Sequence, residues 1–439
     1  MVGRWNNRLP SQPSLSSAFQ MIRLRDLSRV ALSVLLSACA ANLPTDDTKT
    51  TPPPPPPVVG SSTSLPLKLA PRPTESAITA ADLMTRLYIF ADDSMQGRGT
   101  GTEGYDRAAR YIADELRRLG LKPAGDNGSY FQRVTIAGGV VSGQRPIYNV
   151  VAVVPGADPA LAGQYVALGA HADHLSMTPH PLEHDSLKVA RDQAWSMSGR
   201  SNTPAHLTAE QRASIRVNVD SLRRLRAPRL DSIFNGADDD GSGSMALLEI
   251  AESMMTGTRK PGRSVLFVWH TAEELGLLGS AYFGENPTVP RDSIVAQVNT
   301  DMIGRGSSAD LLIGGPDYLA VVGSRRLSTQ LGDMVESVNI AGGHGLRLDY
   351  EMDADGHPQG IYCRSDHYSY ARWGIPVVFF FTGLHADYHQ LTDEPQYIDY
   401  PHYARITNYL NDLVLTIAER AERPVVDKPV PSPYARCIQ

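Results

Sequence analysis

The chain reads as one α/β domain on a largely parallel sheet, and three observations predict it. Short apolar runs that fit buried strands, Val265 to Trp269, Ile294 to Asn299 and Pro376 to Phe381, alternate with stretches of helical spacing. Beyond each run stands a residue able to hold a metal: Glu274, Asp301 and His389 in turn. No internal repeat is visible. Chemistry in open α/β sheets gathers at the carboxyl ends of the strands, so these side chains fall along one sheet edge.

Length and composition bound the rest. A chain of 439 residues holds one large domain or two ordinary ones, and 42 % hydrophobic with 20 % charged residues describes a soluble globular protein. The formal charge of −6 leaves no footprint for nucleic acid. Three cysteines, Cys39, Cys363 and Cys437, are too few for a thiolate zinc site, so any metal is held by His, Asp and Glu.

From Met21, an alternative start, Arg23, Arg25 and Arg29 precede an apolar segment, Val30 to Leu36, too short to span a bilayer. This is the pattern of a secretory signal. It ends in Leu36-Ser37-Ala38-Cys39, a sequence resembling a bacterial lipobox, which predicts residues 1–39 as a leader and a lipidated Cys39 as the membrane attachment. Ala40 after the cysteine points to the outer membrane of a bacterial cell envelope. With Cys39 lipidated, Cys363 and Cys437 could pair in an oxidising periplasm, although sequence alone does not bring them together. Residues 40–75, with six consecutive prolines, form a stiff tether without core-forming side chains.

The globular domain is expected over residues 76–435. Leu83, Leu87 and Phe90 give Ala81 to Phe90 helical spacing, and an amphipathic helix from Tyr105 to Leu119 ends at Gly120. The glycine-rich Gly97 to Gly104 between them lacks the GK[ST] ending and the preceding strand of a phosphate loop. Pro146 to Val154 and Tyr165 to Leu168 read as strands, the second leading to His171 and Asp173. A carboxylate two residues beyond a histidine can accept its other ring N–H and fix a metal-binding tautomer. Residues 174–235 are an insertion carrying His174, His180, His184 and His206, with a helix expected from Thr208 to Ala227. It is either a solvated surface or a lid over the site. Asp238, Asp239 and Asp240 precede a helix reaching Met255. They either complement its dipole or present a carboxylate to bridge two cations. Further on, Ala309 to Ile313 reads as a strand, Tyr318 to Val338 as a long helix and Pro401 to Ala421 as the last helix.

His171, Asp239, Glu274, Asp301 and His389 therefore stand out as two imidazoles and three carboxylates, a donor set suited to two Zn2+ ions. A Glu-Glu pair alone is usually a solvated pair. Where the chain turns after a strand, however, Glu273 can act as a base beside ligand Glu274.

GAHAD, NGADDDGSGSMALLE, HTAEELGLLGS, NTDMIGR, SDHYSYARWGIP and DYHQLTDEP, in this order, resemble the co-catalytic dizinc aminopeptidases of metallopeptidase clan MH. That family is related in fold to glutamate carboxypeptidase and the glutaminyl cyclases. The resemblance covers roughly residues 80 to 425 and implies a three-layer α/β/α domain with a mixed, largely parallel sheet. It implies that Asp239 bridges two zinc ions, with His171 and Asp301 completing one site and Glu274 and His389 the other. Glu273 would be the general base and Asp173 the partner of His171. Tyr388 and Tyr362 are the two candidates to donate to the oxyanion. The short gap from Gln132 to Pro146 leaves no room for the protease-associated domain of many secreted relatives.

The expected function is a lipid-anchored exopeptidase that removes N-terminal residues from peptides. A carboxypeptidase would need cations for the substrate carboxylate, which the arginines of the insertion can supply, and a glutaminyl cyclase of this fold typically uses one zinc. A non-catalytic binding protein is disfavoured because no ligand is missing.

Overall fold

The computed structural model describes residues 68–135 and 145–439. The leader, Cys39 and the tether up to residue 67 lie outside the described residues, as does the middle of the gap before Pro146. Contacts with the domain begin at Arg72, which pairs with Asp82 at 2.7 Å, and Thr74, whose hydroxyl donates to Glu252 at 2.6 Å.

A nine-stranded sheet forms the centre. Helix α1 (Ala80–Phe90) starts where the Thr79 side chain accepts the Asp82 amide. Helix α2 (Glu103–Leu119) is capped by Thr102 and closed by Gly120 at φ 77°, a left-handed conformation that suits glycine. The strands follow as β1 (Lys122–Pro123), β2 (Phe131–Val134), β3 (Ile147–Val154) and β4 (Tyr165–His171). The insertion contributes β5 (Met177–Glu183), α3 (His184–Met197), α4 (Ala209–Ser214), α5 (Val219–Leu225) and β6 (Leu230–Ile233). Then come α6 (Gly243–Thr256), β7 (Ser264–His270), α7 (Leu278–Glu285), β8 (Ile294–Thr300), β9 (Tyr318–Val322), α8 (Thr329–Ala341), β10 (Arg347–Asp349), β11 (Val377–Phe381) and α9 (Tyr400–Glu419).

The sheet order is β1-β3-β7-β4-β8-β11-β9-β10, with β2 on β3. Its centre, β7-β4-β8-β11, is parallel, and antiparallel pairs join β3 to β7 and β9 to β11. Every residue of β7 and β8 is buried, which explains why β7 reads as an almost continuous apolar run and why the polar residues of β8 lie inside the fold rather than on an exposed face. Helices α1, α2, α6 and α9 pack together as one layer, and α7 lies against β2 and β3. Because the central strands are parallel, His171, His270 and Thr300 end side by side, and the loops beyond them open onto one edge. Among the described residues, no helix is long and apolar enough to cross a membrane.

Three local expectations are corrected, and the insertion adds elements that the sequence does not announce. Tyr318 to Val338 is a strand and a helix, because Tyr318 to Val322 is fully buried beside β11, Gly323 turns at φ 81°, and the Ser328 hydroxyl accepts the Leu331 amide to begin α8. Ala309 to Ile313 is a turn: the Asp310 carboxylate accepts from Ser307 N–H at 3.0 Å and from Arg305 at 2.6 Å, while Leu312 and Ile313 are exposed. Thr208 to Ala227 is two short helices, with Arg216 drawn out by both ends of the Gln193 amide, at 2.6 and 3.0 Å. Helix α3 and the β5–β6 pair in the insertion carry no clear period, and their strands keep mostly exposed faces.

Candidate metal centre

The loop at Gly97 to Gly104 braces the end of β4. Ser176 N–H donates to the Gly97 carbonyl at 2.9 Å and His174 N–H to the Arg98 carbonyl at 3.2 Å. A Cβ on Gly97 would sit 2.1 Å from the Ser176 carbonyl oxygen, so only glycine permits this approach. Arg98, fully buried, donates to the carbonyls of Ala172, at 3.1 Å, and Gly236, at 2.8 Å. The glycine-rich motif thus binds backbone and holds the two segments that carry His171 and Asp239.

In the acid triplet, the three carboxylates divide the work. Asp240 accepts the amides of His171 at 3.0 Å and Met302 at 3.2 Å, stitching β4 to β8. Asp238 accepts Gly304 N–H at 2.7 Å. Asp393 accepts the amides of Asp238 and Asp239 at 3.0 and 3.1 Å, leaving the Asp239 carboxylate to face outward.

There the predicted donors converge. His171 Nε2 lies 3.2 Å from Asp239 Oδ1 and 3.6 Å from Asp301 Oδ1, while His389 Nε2 lies 3.0 Å from Asp239 Oδ2 and 3.1 Å from Glu274 Oε2. Asp239 thus presents one oxygen to each group. Glu273 Oε2 is 3.9 Å from His171 Nε2. Its backbone N–H donates to Asp173 Oδ1 at 3.2 Å. His171 Nδ1 faces the backbone carbonyl of Asp173 at 3.1 Å, with that carboxylate at 3.9 Å. The second contact expected of Asp173 is therefore made by its main chain, and its side chain instead takes the Thr100 hydroxyl at 2.8 Å. Ala272, Met302 and His389 adopt positive φ of 55°, 56° and 57°, so three left-handed residues turn the chain at this site at a cost of order 1 kcal/mol each.

Burial dominates the electrostatics. It raises the Glu273 carboxyl well above its usual range, with Glu274 and Asp301 adding to the effect against the opposing His171. Burial raises Asp173 to about 6. For Glu274, burial and Asp239 oppose ionisation, but His389 and His174 outweigh them and bring it to about 2. Burial also disfavours a charged His171, yet the carboxylates of Glu273 and Asp301 raise it well above the ordinary histidine range. Cations are what this cluster favours.

The residues fit a pair of divalent ions. Tetrahedral bonds of about 2.0–2.1 Å place ligand atoms roughly 3.3 Å apart, the spacing seen here. Asp239 Oδ2 is buried without an aligned hydrogen bond although His389 Nε2 is 3.0 Å away, as expected of two lone pairs aimed at a common point. His171, Asp239 and Asp301 form one candidate group, and Asp239 and Glu274 recur in a second with His174.

The sequence profile of peptidase family M28 matches residues 149–414, from β3 into α9, and this span holds all five converging donors. The chain belongs to peptidase family M28. It is 33 % identical over 170 residues to leupeptin-inactivating enzyme 1 of Streptomyces exfoliatus, covering 38 % of this chain and 34 % of that protein. It is 30 % identical over 216 residues to leucine aminopeptidase 1 of Sclerotinia sclerotiorum, covering 48 % of each. The alignments thus span half or less of the length of these curated relatives. In fold, the M28 chain resembles the LapA aminopeptidase of Legionella pneumophila, with a TM-score of 0.51 and 18 % identity over 79 % of this chain and 73 % of that one. It resembles the glutaminyl cyclase of Porphyromonas gingivalis as closely, with a TM-score of 0.51 and 19 % identity over 76 % and 97 %.

Beside the candidate metal-binding cluster the M28 chain opens a cleft lined by the apolar side chains of Met302, Ile361, Phe379, Phe381 and Leu384 and by Arg364 and Tyr388. The Tyr388 hydroxyl accepts from Arg364 at 3.2 Å, and its ring stacks on His389 at 3.9 Å. Burial raises the Tyr388 hydroxyl above its ordinary value, against the opposing charges of His389 and Arg364. Tyr362 is not brought to the cleft: its ring packs on His367 and Tyr368 beneath Arg326. The arginines of the insertion do not line the cleft either, since Arg223, Arg226 and Arg229 pair with Glu183, Asp185 and Glu394. Three contributors went unread in the sequence. His174 Nδ1 lies 2.7 Å from Glu274 Oε1. The Ser365 hydroxyl donates to Asp301 Oδ2 at 2.8 Å, and Arg364 supplies the cleft's cation. Ser365 opens the SDH motif, Arg364 directly precedes it, and His174 directly follows Asp173; adjacency was their one signal.

Proposed function

We propose that this M28 chain is a zinc-dependent aminopeptidase that removes N-terminal residues from peptides, with Glu273 as its general base. The observation that carries the reading is the sharing of Asp239 between two donor groups, His171 with Asp301 and Glu274 with His389, with the Glu273 carboxylate beside them. A pair of zinc ions held by these residues would supply Lewis-acid activation of water and of the scissile carbonyl. Glu273 takes the proton from the attacking water and returns it to the leaving amine; its raised affinity for protons suits a group that must hold one between the two steps. The Tyr388 hydroxyl, kept protonated by burial and steered by Arg364, donates to the oxygen on which charge develops. The apolar lining favours a substrate with a large apolar side chain, in keeping with relatives named leucine aminopeptidases.

The test is Glu273→Gln assayed on a peptide with a free N-terminus, its N-acetylated form and its C-terminal amide. Activity on the free and amidated peptides alone, falling about 10²–10⁴-fold in the variant at unchanged zinc content, is the expected result. A zinc-loaded variant with full activity removes the base assignment. Release from the C-terminus, or cyclisation of an N-terminal glutamine, would identify a carboxypeptidase or a glutaminyl cyclase instead.

We further propose that the protein is an exported bacterial lipoprotein held in the cell envelope, most simply the outer membrane, through Cys39. Support comes from the leader pattern and from the Cys363–Cys437 disulfide, a bond that persists in oxidising compartments. Cys39→Ser should move the protein from the membrane to the soluble fraction, and unchanged fractionation would contradict the anchor.

A further inference from the structure

His184, Asp231 and Glu394 converge at a second place, outside the cleft. His184 opens α3 directly after β5, Asp231 lies on the paired strand β6, and Glu394 follows His389 in the loop beyond β11. His184 Nδ1 is 3.3 Å from Asp231 Oδ2 and 3.1 Å from Glu394 Oε1. The three donor atoms lie within 4.8 Å of one another. The imidazole is fully buried, and the two carboxylate side chains are only 10 % and 9 % exposed.

The spacing is that of tetrahedral zinc ligands, roughly 3.3 Å apart for bonds of about 2.0–2.1 Å, and it repeats the 3.2 and 3.1 Å of the His171–Asp239 and His389–Glu274 pairs. Two carboxylates face one ring nitrogen. A single N–H there serves only one of them at a time, and a cation at that point would meet both. The opposite nitrogen, Nε2, meets the Tyr397 hydroxyl at 3.2 Å, the kind of outer contact that fixes the tautomer and orientation of a metal-bound imidazole. Arg229 Nη1 donates to Glu394 at 2.8 Å on Oε2 and 3.1 Å on Oε1, so it approaches more closely on the outer oxygen, and Oε1 is the one turned towards His184.

We propose that His184, Asp231 and Glu394 bind a divalent cation, zinc by the chemistry of the donors, in a site separate from the catalytic centre. One imidazole and two carboxylates without thiolate hold zinc with a fourth position left for water. The ion would clamp the insertion to the catalytic loop. Glu394 directly follows Asp393, whose carboxylate seats the amides of Asp238 and Asp239, so the clamp bears on the backbone that presents Asp239.

Crystals of the full chain soaked in zinc test this through anomalous scattering, independently of activity. A peak about 2.0–2.1 Å from all three donor atoms is expected, and its absence overturns the site whatever the cleft contains. In solution, the Asp231→Asn, Glu394→Gln double variant, dialysed against zinc alongside the parent chain, should carry one equivalent of zinc fewer. Equal zinc content in both proteins would reduce the cluster to a metal-free ion pair.

Discussion

Asp301 has one oxygen turned towards His171 and the other bound by a hydroxyl, and that hydroxyl decides how well the ligand is aimed. Ser365 Oγ donates to Asp301 Oδ2 at 2.8 Å and accepts from Asn299 Nδ2 at 2.9 Å, in a chain of three groups that runs from the cleft into the interior. Ser365→Ala removes the donor without disturbing packing, leaving a buried carboxylate oxygen and the Asn299 side-chain N–H without this partner at a cost of about 1–3 kcal/mol. Zinc affinity is expected to fall about 10–100-fold, measured by competition with a chromophoric chelator. An unchanged affinity would mean that Asp301 needs no support. The same reasoning explains which site residues were legible. His171, Asp239, Glu274, Asp301 and Glu273 each lie near a strand end or a helix start, where spacing along the chain points to a role, and His389 stands in the loop beyond β11. Thr100, Arg98 and Ser365 act across distances that only the fold closes, and a serine or arginine in a loop has many ordinary uses. Tyr362 shows the converse: three residues before SDH it matches its relatives by position, yet the turn at Gly360, with φ 58°, sends its ring to His367 and Arg326.

Helix α3 starts at a glutamate that no period in the sequence marks. The Glu183 carboxylate accepts the amides of Asp185 at 3.3 Å and Ser186 at 2.9 Å and pairs with Arg223 at 2.8 Å. Burial opposes its ionisation, but the Ser186 hydroxyl and amide, the Arg229 amide and the Arg223 side chain together prevail and lower it to about 2 from an ordinary 4.5. A lowered carboxyl stabilises the fold above the unfolded value, and the contribution is lost as pH falls from 4.5 through about 2. Solvent reaches this side chain, so the cap is worth about 1 kcal/mol. Glu183→Gln should therefore speed amide exchange across His184–Met197 at pH 7, with the difference from wild type vanishing near pH 2; equal exchange at pH 7 would exclude the cap. Elements buried on both sides were legible because β4, β7 and β11 are largely apolar runs between turns and β8 opens with one. Tyr318 to Val322 was not, since five apolar residues fit a helix as well as a strand and only the pairing with β11 decides. In the insertion, tertiary contacts such as Gln193 on Arg216 set the helix ends, and no local pattern encodes them.

Across the whole molecule, the C-terminal tail is fastened to the loop that adjoins the proposed metal ligands. Cys363 and Cys437, 74 positions apart, are joined, and the Gln439 side chain accepts the Tyr362 amide at 2.9 Å and donates to the Met352 carbonyl at 3.1 Å. This tether adjoins Arg364, which steers Tyr388, and Ser365, which aims Asp301. Closing a loop of that length in the unfolded chain is worth about 4 kcal/mol by chain entropy, so Cys437→Ser should lower the melting temperature by several degrees. A second consequence separates a simple staple from a support for the site. If the tail holds the loop in register, freeing it lets Ser365 drift from Asp301, and Cys437→Ser should weaken zinc binding several-fold. In a Ser365→Ala background the hydrogen bond is already gone, so the same substitution should lower stability while leaving zinc affinity where Ser365→Ala put it. Chelator competition on the four proteins of this cycle reads the coupling directly. Additive losses in zinc affinity would show that the disulfide and the ligand act independently, and the tail would then stabilise the fold without reaching the metal centre.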